Sequence, residues 1–149
     1  MVVEIGEKAP KFSLDGTGGR SYSLDEYLGS PLVLAFYPED FSPVCTAQLN
    51  AYSKASPDFA TLEAVVLGIS PQSIESHDAF AKRVGITFPL LADTDKGVAR
   101  SYGVLGPLGF YRRSVFVVDK EGFVRFAHRS RAGLTYRPSA QLIDVIRSL

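Results

Sequence analysis

The only cysteine of this chain, Cys45, ends the stretch PEDFSPVC, residues 38–45. Pro43 suits the first turn of a helix, because the N–H that it lacks would have no partner there. Cys45 would then lie in the same turn, where unpaired backbone N–H groups and the positive end of the helix dipole favour a thiolate, the reactive form of cysteine. Ser42 could cap this helix or reach a ligand beside the sulfur, and the two roles are compatible. These residue types suit a nucleophilic thiol.

A cysteine by itself is weak support for chemistry, since a free cysteine more often packs as a small apolar side chain. Here two nearby prolines, a hydroxyl three residues before the thiol and a junction between a strand and a helix favour a reactive thiol over a buried one. A single cysteine excludes a disulfide within the chain and a zinc site built from several cysteines. Any disulfide of Cys45 must therefore involve another molecule.

The hydrophobic pattern predicts the strands that surround this stretch. PLVLAFY and AVVLGIS are apolar throughout, which is typical of strands buried on both faces of a sheet. Further strands are predicted over KFSLDG, GGRSYSL, FPLLAD, RRSVFVVD and FVRFAHR. The turn KEG joins the last two into a hairpin.

Helices are predicted between these strands. They cover LDEYLG with Ser23 or Asp25 as cap, residues 43–60 with a break near Pro57, residues 74–85 with Ser73 as cap, residues 96–103 with Asp95 as cap, and residues 139–149 with Leu142, Ile143, Ile146 and Leu149 on one face. The element order indicates an α/β protein with a mixed central β-sheet, helices on both faces and an N-terminal β-hairpin. In such sheets ligands gather where central strands end and helices begin, and PEDFSPVC lies at such a point.

Pro38, Ser42 and Cys45, in the pattern P-x-x-x-S-x-x-C, resemble the signature of the peroxiredoxin family. GEKAPKFSLDG, VVLGIS and FPLLADTDKGVARSYGV are similar to family segments in the same order. RRSVFVVDKEGFVRF resembles the hairpin that carries the family's arginine, which here is Arg113, six residues before Asp119. The resemblance covers nearly the whole chain, and two independent motifs in the expected order make it specific.

The resemblance implies a thioredoxin-like fold and a peroxide-reducing site. Cys45 would attack a hydroperoxide and become a sulfenic acid. Arg113 would hold the thiolate charged and polarise the O–O bond. Ser42 and the backbone N–H groups of Val44 and Cys45 would bind the peroxide in line, and Pro38 would shield the thiolate from water.

Two departures from the commonest family pattern bear on the mechanism. Ser42 replaces the more frequent threonine, which keeps the hydroxyl and implies somewhat looser positioning. Asn50 stands where the bacterioferritin-comigratory group often has a resolving cysteine, and no cysteine lies near the C-terminus. The chain also lacks a long C-terminal extension. It therefore resembles one-cysteine members close to the bacterioferritin-comigratory (PrxQ-like) and AhpE-like groups, whose sulfenate is reduced by an external thiol of the thioredoxin, glutaredoxin or low-molecular-weight type.

Other residues leave alternatives open. Gln48 could line the peroxide site or face solvent. Phe41, together with Tyr37, Phe110 and Tyr111, could form an apolar peroxide pocket or a dimer contact, and plain packing is the alternative for each.

Several other classes of site are disfavoured by the sequence. Gln48 takes the place of the second thiol of a dithiol thioredoxin, and the absence of tryptophan disfavours a glutathione peroxidase. His77 falls within a helix and His128 at a strand end, which disfavours a Cys–His hydrolase. Asp93 and Asp95 before a helix are more typical of turns and caps than of a metal site. No metal and no cofactor are expected. The rival function is a redox-inert thioredoxin-like module that binds a partner or acts as a chaperone.

Composition fits this interpretation. The 149 residues are 46% hydrophobic and 21% charged, which suits one soluble domain, residues 1–149. The absence of a signal peptide and of a long apolar run predicts a cytoplasmic protein without membrane contact. The first half is acidic and the second half basic, which fits mixed surface charge, an anion-attracting face or a dimer contact, and no motif indicates nucleic-acid binding. A monomer or a homodimer is expected.

Overall fold

The computed structural model describes residues 2–131 and 135–149; Met1 and residues 132–134, which the predicted domain includes, lie outside the described residues. The strands are β1 (Ser13–Gly16), β2 (Arg20–Ser23), β3 (Leu32–Phe36), β4 (Val65–Ser70), β5 (Leu90–Ala92), β6 (Ser114–Val118) and β7 (Val124–Arg129). They form one mixed sheet in the order β2-β1-β5-β4-β3-β6-β7. β3, β4 and β5 are parallel, while the hairpins β1–β2 and β6–β7 add antiparallel strands at the two edges. The predicted mixed sheet and both hairpins are confirmed.

The helices are α1 (Pro43–Lys54), α2 (Ser56–Thr61), α3 (Ile74–Val84), α4 (Gly97–Ser101) and α5 (Ser139–Arg147), with a 3₁₀ turn at Leu24–Tyr27. Ser73 caps α3 by accepting the Ser76 N–H at 3.2 Å, and Gly85 ends this helix in a left-handed conformation, as predicted. The predicted break near Pro57 separates α1 from α2, and Pro57 lies in the first turn of α2, where a missing N–H costs nothing.

The start of α4 differs from the prediction that Asp95 caps it. Asp95 accepts the Gly97 N–H at 2.8 Å. The buried carboxylate of Asp93 accepts the N–H groups of Val98 and Ala99 at 3.1 and 2.9 Å. Asp93 ends the strand segment that leads into this helix, so its side chain is already aimed at the unpaired N–H groups.

The buried face that the sequence predicts for the last helix differs from the structure at one residue. Leu142, Ile143 and Ile146 are buried, as expected for an amphipathic helix. Leu149 lies beyond the end of α5 and is half-exposed, because the helix stops before the fourth position of the apolar pattern.

β3 is buried along its whole length and separates two hydrophobic cores. Leu32, Leu34 and Phe36 face the first core, which also holds Ala99 of α4. Val33, Ala35 and Tyr37 face the second core, to which α1, α2, α3 and α5 contribute Leu49, Phe59, Phe80 and Leu142. Side chains of a strand alternate between the two faces, so a continuously apolar strand requires cover on both.

The sheet register determines which residues meet at the end of β3. Phe36, the last residue of β3, is paired with Ser114, the first residue of the antiparallel β6. The chain leaves β3 through residues 37–42 into α1, and it enters β6 from Arg113. Residues that lie 68 positions apart in the sequence, Cys45 and Arg113, are thus brought to one end of the sheet.

Candidate active site

Cys45 occupies the third position of α1, and its side chain is fully buried in the second core. Ser42 is the N-cap residue and Pro43 is the first helical residue, as predicted. The Thr46 N–H donates to the Ser42 carbonyl at 2.9 Å, which begins the helical hydrogen-bond ladder. The N–H groups of Val44 and Cys45 precede that bond, so they point out of the helix end, as in any first turn. The sulfur therefore lies where the helix presents partial positive charge.

Arg113 provides a full positive charge at the sulfur. Its Nη2 lies 3.1 Å from Cys45 Sγ, within hydrogen-bond distance, and the arginine side chain is buried. A guanidinium in a poorly solvated place stabilises a neighbouring anion more strongly than it would in water. The structure thus places together the thiol and the arginine that the sequence analysis selected.

Gln48 and Tyr52 hold this arginine. Arg113 Nη1 donates to Gln48 Oε1 at 2.6 Å, while Gln48 Nε2 lies 3.4 Å from the Tyr52 hydroxyl. The Tyr52 hydroxyl donates to the Arg137 carbonyl at 2.6 Å, and burial raises the pKa of Tyr52 to about 12, so it remains a donor at neutral pH. Gln48 is buried, one helical turn after Cys45, so it does not face solvent. Its contacts favour orientation of Arg113 over a direct place in a peroxide pocket.

The Ser42 hydroxyl is bonded within the loop and not to the backbone of α1. Among the described residues its Oγ donates to the Glu39 carbonyl at 3.2 Å and makes no capping bond to α1. Of the two roles left open for Ser42, the side-chain cap of α1 is therefore not formed, although Ser42 is the N-cap residue. Pro38 lies at the other end of the loop and is partly buried, and its carbonyl accepts the Gln72 side-chain amide at 3.2 Å.

Phe41 has an unusual backbone conformation next to the site. Its φ angle of 66° places it in the left-handed region, which is uncommon for a residue other than glycine. Its ring packs on Phe80 of α3 with a centroid distance of 5.0 Å, while part of the ring stays exposed. Val44, three residues after Phe41, is partly buried. Phe41 is thus a partly open apolar wall of the loop.

The structure also brings polar residues to the loop that the sequence analysis did not select. Asp40 is buried, and its carboxylate contacts the Tyr37 hydroxyl at 2.7 Å and His77 Nδ1 at 2.7 Å. Gln72 accepts the Asp40 N–H at 3.1 Å. One signal was available: Asp40 is a charged residue between a buried strand and a buried cysteine, where solvation is poor. Its partner in α3 is 37 positions away and left no trace in the pattern.

Among the described residues, neither histidine is hydrogen-bonded to Cys45. His77 is fully buried and bonds Asp40 and the Leu91 carbonyl. His128 lines a cavity of about 10 Å³, the size of one water molecule, beside Gln48 and Arg113. Burial and the charge of Arg137 lower the pKa of His128, which favours its neutral form. A Cys–His hydrolase would need a histidine against the thiol, and the structure places Arg113 there instead.

Among residues 2–131 and 135–149, no group of three His, Cys, Asp or Glu side chains could hold a metal ion. Asp93 instead caps α4 and accepts a bond of 2.5 Å from the Tyr111 hydroxyl. In the same described ranges no helix has the length and apolar character to cross a membrane.

Known proteins share both this sequence and this architecture. Residues 5–127 match the sequence model described as the AhpC/TSA family. The chain is 38% identical over 130 residues to peroxiredoxin Bcp of Bacillus subtilis, covering 82% of each protein. It is 34% identical over 149 residues to the chloroplastic peroxiredoxin Q of Sedum lineare, covering 99% of this chain and 78% of that relative. The solved structure of Xanthomonas campestris peroxiredoxin Q superposes with a TM-score of 0.83 at 28% identity, covering 92% of this chain and 90% of the other.

These similarities confirm the expected thioredoxin-like fold, with its mixed seven-stranded sheet. The chain belongs to the AhpC/TSA family of peroxiredoxins, which are thiol-dependent peroxidases.

Proposed function

We propose that this peroxiredoxin reduces hydrogen peroxide, organic hydroperoxides or both through Cys45 by a one-cysteine mechanism. The observation that carries the proposal is the 3.1 Å contact between Arg113 Nη2 and Cys45 Sγ at a buried helix start. A buried thiol that served only for packing would have no need of a guanidinium. Here the arginine is itself buried, so its charge is compensated best when the sulfur is a thiolate.

The reaction at Cys45 is a two-electron transfer. The thiolate sulfur attacks the terminal oxygen of the hydroperoxide, an S–O bond forms, and the O–O bond breaks. The sulfur is oxidised to a sulfenic acid, and the leaving oxygen takes a proton to become water or an alcohol. Negative charge moves during this step from the sulfur towards the leaving oxygen, so fixed positive groups along that line lower the barrier.

The residues around Cys45 have separate roles in this proposal. Arg113 stabilises the thiolate and polarises the peroxide bond. Ser42 Oγ and the N–H groups of Val44 and Cys45 bind the peroxide oxygens, because all three lie at the open end of α1. Pro38 restricts water at the start of the loop.

Gln48 and Phe41 have roles other than hydrogen bonding to the peroxide. Gln48 is a positioning residue, since it holds Nη1 of Arg113 at 2.6 Å while Nη2 faces the sulfur. Phe41 forms the partly exposed apolar wall through which an organic hydroperoxide would approach. A small peroxide needs little of this wall, whereas an alkyl hydroperoxide gains contact with it.

Regeneration requires an external thiol. Cys45 is the only cysteine, and Asn50 lies where a resolving cysteine would stand, so the sulfenic acid has no partner in its own chain. The Cys45 side chain is fully buried, and a reductant must therefore act after residues 38–42 and the first turn of α1 move outward. We place this cycle in the cytoplasm, with a thioredoxin-like, glutaredoxin-like or low-molecular-weight thiol as reductant and a monomer or homodimer as the working form.

The proposal is tested by oxidation with one equivalent of hydrogen peroxide followed by intact mass measurement. The wild type should gain the mass of one oxygen per chain. When dimedone is present, it should instead form one dimedone adduct per chain. A disulfide-linked dimer should not be the main product. Cys45→Ser should gain none. Dithiothreitol should restore the reduced mass and allow a second equivalent to be consumed. An unmodified wild type would show a redox-inert binding module, and a predominant inter-chain disulfide would contradict the one-cysteine mechanism.

A further inference from the structure

A second buried polar cluster lies next to the loop that carries the proposed peroxide-binding groups. Asp40 and His77 expose essentially none of their side chains, and His77 Nδ1 lies 2.7 Å from Asp40 Oδ2. Asp40 belongs to the loop of residues 38–42, whereas His77 belongs to α3. The pair therefore joins two separate elements of the fold.

The hydrogen bonds of this pair assign its protons. His77 Nε2 lies 3.0 Å from the carbonyl of Leu91, which can only accept, so Nε2 carries a proton. His77 Nδ1 faces the Asp40 carboxylate, so a second proton lies between these two groups. Although burial raises the pKa of Asp40, hydrogen bonds from His77, Ser76 and Tyr37 hold it below its usual value. Asp40 is therefore a carboxylate, and it accepts a hydrogen bond from His77 Nδ1.

The groups that face this pair come from three directions. From α3, the Ser76 hydroxyl donates to Asp40 Oδ2 at 2.7 Å. From the end of β3, the Tyr37 hydroxyl donates to Asp40 Oδ1 at 2.7 Å; burial and the Asp40 charge raise the pKa of Tyr37 well above its usual value, so it remains a donor. From β5 comes the Leu91 carbonyl. Both carboxylate oxygens are thus occupied by fixed donors.

Gln72 adds two bonds to the same loop. Its side-chain oxygen accepts the Asp40 N–H at 3.1 Å, and its side-chain nitrogen donates to the Pro38 carbonyl at 3.2 Å. Gln72 also bonds the Ser70 hydroxyl at the end of β4. Residues 38–40 are therefore fixed through both backbone and side chain.

The residue after Asp40 needs such support. Phe41 has a φ angle of 66°, a conformation that is unfavourable for a side chain with a Cβ atom. Its ring rests on Phe80 of α3, one turn beyond His77 on the same helix. A loop held in a strained conformation relaxes when its anchors are removed, and Ser42 and the start of α1 follow directly.

We propose that the buried hydrogen bond between Asp40 and His77 is a positioning device for the peroxide site. It holds the loop of residues 38–42 against α3, so that Ser42 and the open end of α1 keep their catalytic geometry. The proposal rests on the peroxidase function proposed above and names residues of the same site that do not touch the peroxide. Removal of one partner would leave the other buried without compensation, so the loop would move to restore solvation.

The test uses Asp40→Asn, which keeps the shape of the side chain but removes the carboxylate that His77, Ser76 and Tyr37 face. Two rates are measured on each protein: stopped-flow reaction of Cys45 with hydrogen peroxide, and alkylation of Cys45 by iodoacetamide. Peroxide reaction should fall about 10- to 100-fold, the size expected for misplacement of reacting groups by about 1 Å. Alkylation needs no oriented peroxide, so its rate should stay equal or rise as the loop opens.

Asp78→Asn is the matched control, because it makes the same change at an exposed position next to His77 on α3. Both of its rates should stay within about twofold of the wild type. His77→Gln should resemble Asp40→Asn, and the double variant should be little worse than either single variant, since residues that act as one pair are not additive. A purely global destabilisation would lower the melting temperature without changing the ratio of the two rates in the folded protein.

Three results would overturn the proposal. Peroxide reaction of Asp40→Asn within twofold of the wild type would show that the pair does not position the site. A parallel fall of both rates would show an effect on the thiolate and not on the loop. If Asp40→Asn does not fold, Ser76→Ala removes one donor to the same carboxylate and should slow peroxide reaction about threefold; an unchanged rate would also overturn the proposal.

The outcome is separable from that of the proposed function. If the wild type itself does not reduce peroxide, the peroxidase proposal fails. The anchoring is then judged by amide hydrogen exchange of residues 39–46, which should be faster in Asp40→Asn than in Asp78→Asn. Equal exchange in the two variants would overturn the anchoring on its own.

Discussion

The two ends of the central sheet differ: one end carries the reactive cysteine, and the other carries the large cleft. At the carboxyl end of β3, the cavity beside Arg113 holds about 10 Å³. At the opposite end, where Pro31 enters β3 and Asp119 leaves β6, an open cleft of about 730 Å³ lies between the strand ends and Arg147 of α5. Cavity size alone would direct attention to the second end, although the thiol is at the first.

Burial of charge distinguishes the two ends better than volume does. At the cleft, Arg125 bonds Asp119 at 2.6 Å, but nearly half of the arginine side chain is exposed, and water screens such a pair. At the reactive end, Arg113 is buried and directs its two terminal nitrogens at a glutamine oxygen and a sulfur. In this protein the reactive end is therefore distinguished by a buried charged side chain whose terminal nitrogens are held by specific hydrogen bonds.

The comparison is tested most strongly by removal of one arginine from each end. Arg113→Ala should slow the reaction of Cys45 with hydrogen peroxide about 100- to 1,000-fold, because a preorganised charge at the reacting atoms is lost. Arg125→Ala should leave the rate within about twofold. Both are measured by stopped flow under pseudo-first-order conditions. Equal rates for Arg113→Ala and the wild type would remove the role of Arg113 while leaving that of Cys45 intact.

A smaller effect is expected from the residue that orients Arg113. Gln48→Ala should lower the rate about 10-fold, by a similar factor for hydrogen peroxide and for cumene hydroperoxide, because the change acts through the arginine and not on the substrate. Gln48→Glu retains an oxygen acceptor but adds a negative charge that competes with the thiolate for Arg113, so it should not recover the rate. A loss confined to the bulkier peroxide would instead show that Gln48 contacts the substrate directly.

Two residues in left-handed conformations allow a matched comparison of backbone strain. Phe41 at the reactive end has a φ of 66°, and Glu63 at the cleft has a φ of 56°. Glu63→Gly should stabilise the protein by about 0.5 kcal/mol, since glycine adopts this conformation freely but loses more entropy on folding. Its peroxide rate should not change.

Phe41→Gly relieves the same strain but removes the ring contact with Phe80. It should therefore gain no stability and should lose about 3- to 10-fold in peroxide rate as the loop loosens. Urea unfolding and stopped flow measure the two quantities. A stabilised and fully active Phe41→Gly would show that the ring has no part in holding the loop.

Asp40 at the reactive end and Asp119 at the cleft should also affect how the free energy of unfolding changes in acid. Burial raises the pKa of Asp40, but hydrogen bonds from His77, Ser76 and Tyr37 outweigh it and leave the pKa lowered. For Asp119, burial likewise raises the pKa, while the Phe123 N–H and Arg125 lower it. A carboxyl whose pKa is lower in the folded state stabilises the protein above its unfolded value of about 3.9, and this stabilisation disappears as the pH falls through the folded value.

The free energy of unfolding of the wild type should therefore fall between pH 7 and acid below about pH 4. The fall should be smaller in Asp119→Asn, and its course should change in Asp40→Asn, because each variant removes one carboxyl whose pKa is lowered in the folded protein. Urea titrations at a series of pH values measure it. An identical acid dependence of Asp40→Asn and the wild type would mean that Asp40 is not an ionised partner of His77.

Much of this arrangement could be predicted from the sequence because it depends on local chemistry. The apolar run of β3, Pro43 at a helix start and the family resemblance around Arg113 indicated the sheet, the position of Cys45 and its arginine partner. Of the two roles open to Ser42, the side-chain cap of α1 is not formed, since its hydroxyl donates to the Glu39 carbonyl within the loop.

The remaining features depend on contacts between distant segments. The pairing of Asp40 with His77 requires α3 to pack against the loop, and no pattern in either segment reveals it. Gln48 looked equally suited to solvent, because its burial is set by Tyr52 and by the segment that follows β7. The main cap of α4 is Asp93 and not Asp95. This choice likewise depends on how the end of β5 meets that helix.

The central claim is that Cys45, activated at the buried end of the sheet, reduces peroxide. Its most direct test is the second-order rate constant of the fully reduced protein with hydrogen peroxide at neutral pH, measured by stopped flow alongside free cysteine and Cys45→Ser. The proposed mechanism predicts that the wild type reacts at least about 1,000-fold faster than free cysteine, from orientation and electrostatic stabilisation together, and that Cys45→Ser does not react. A wild-type rate no faster than that of free cysteine would contradict it.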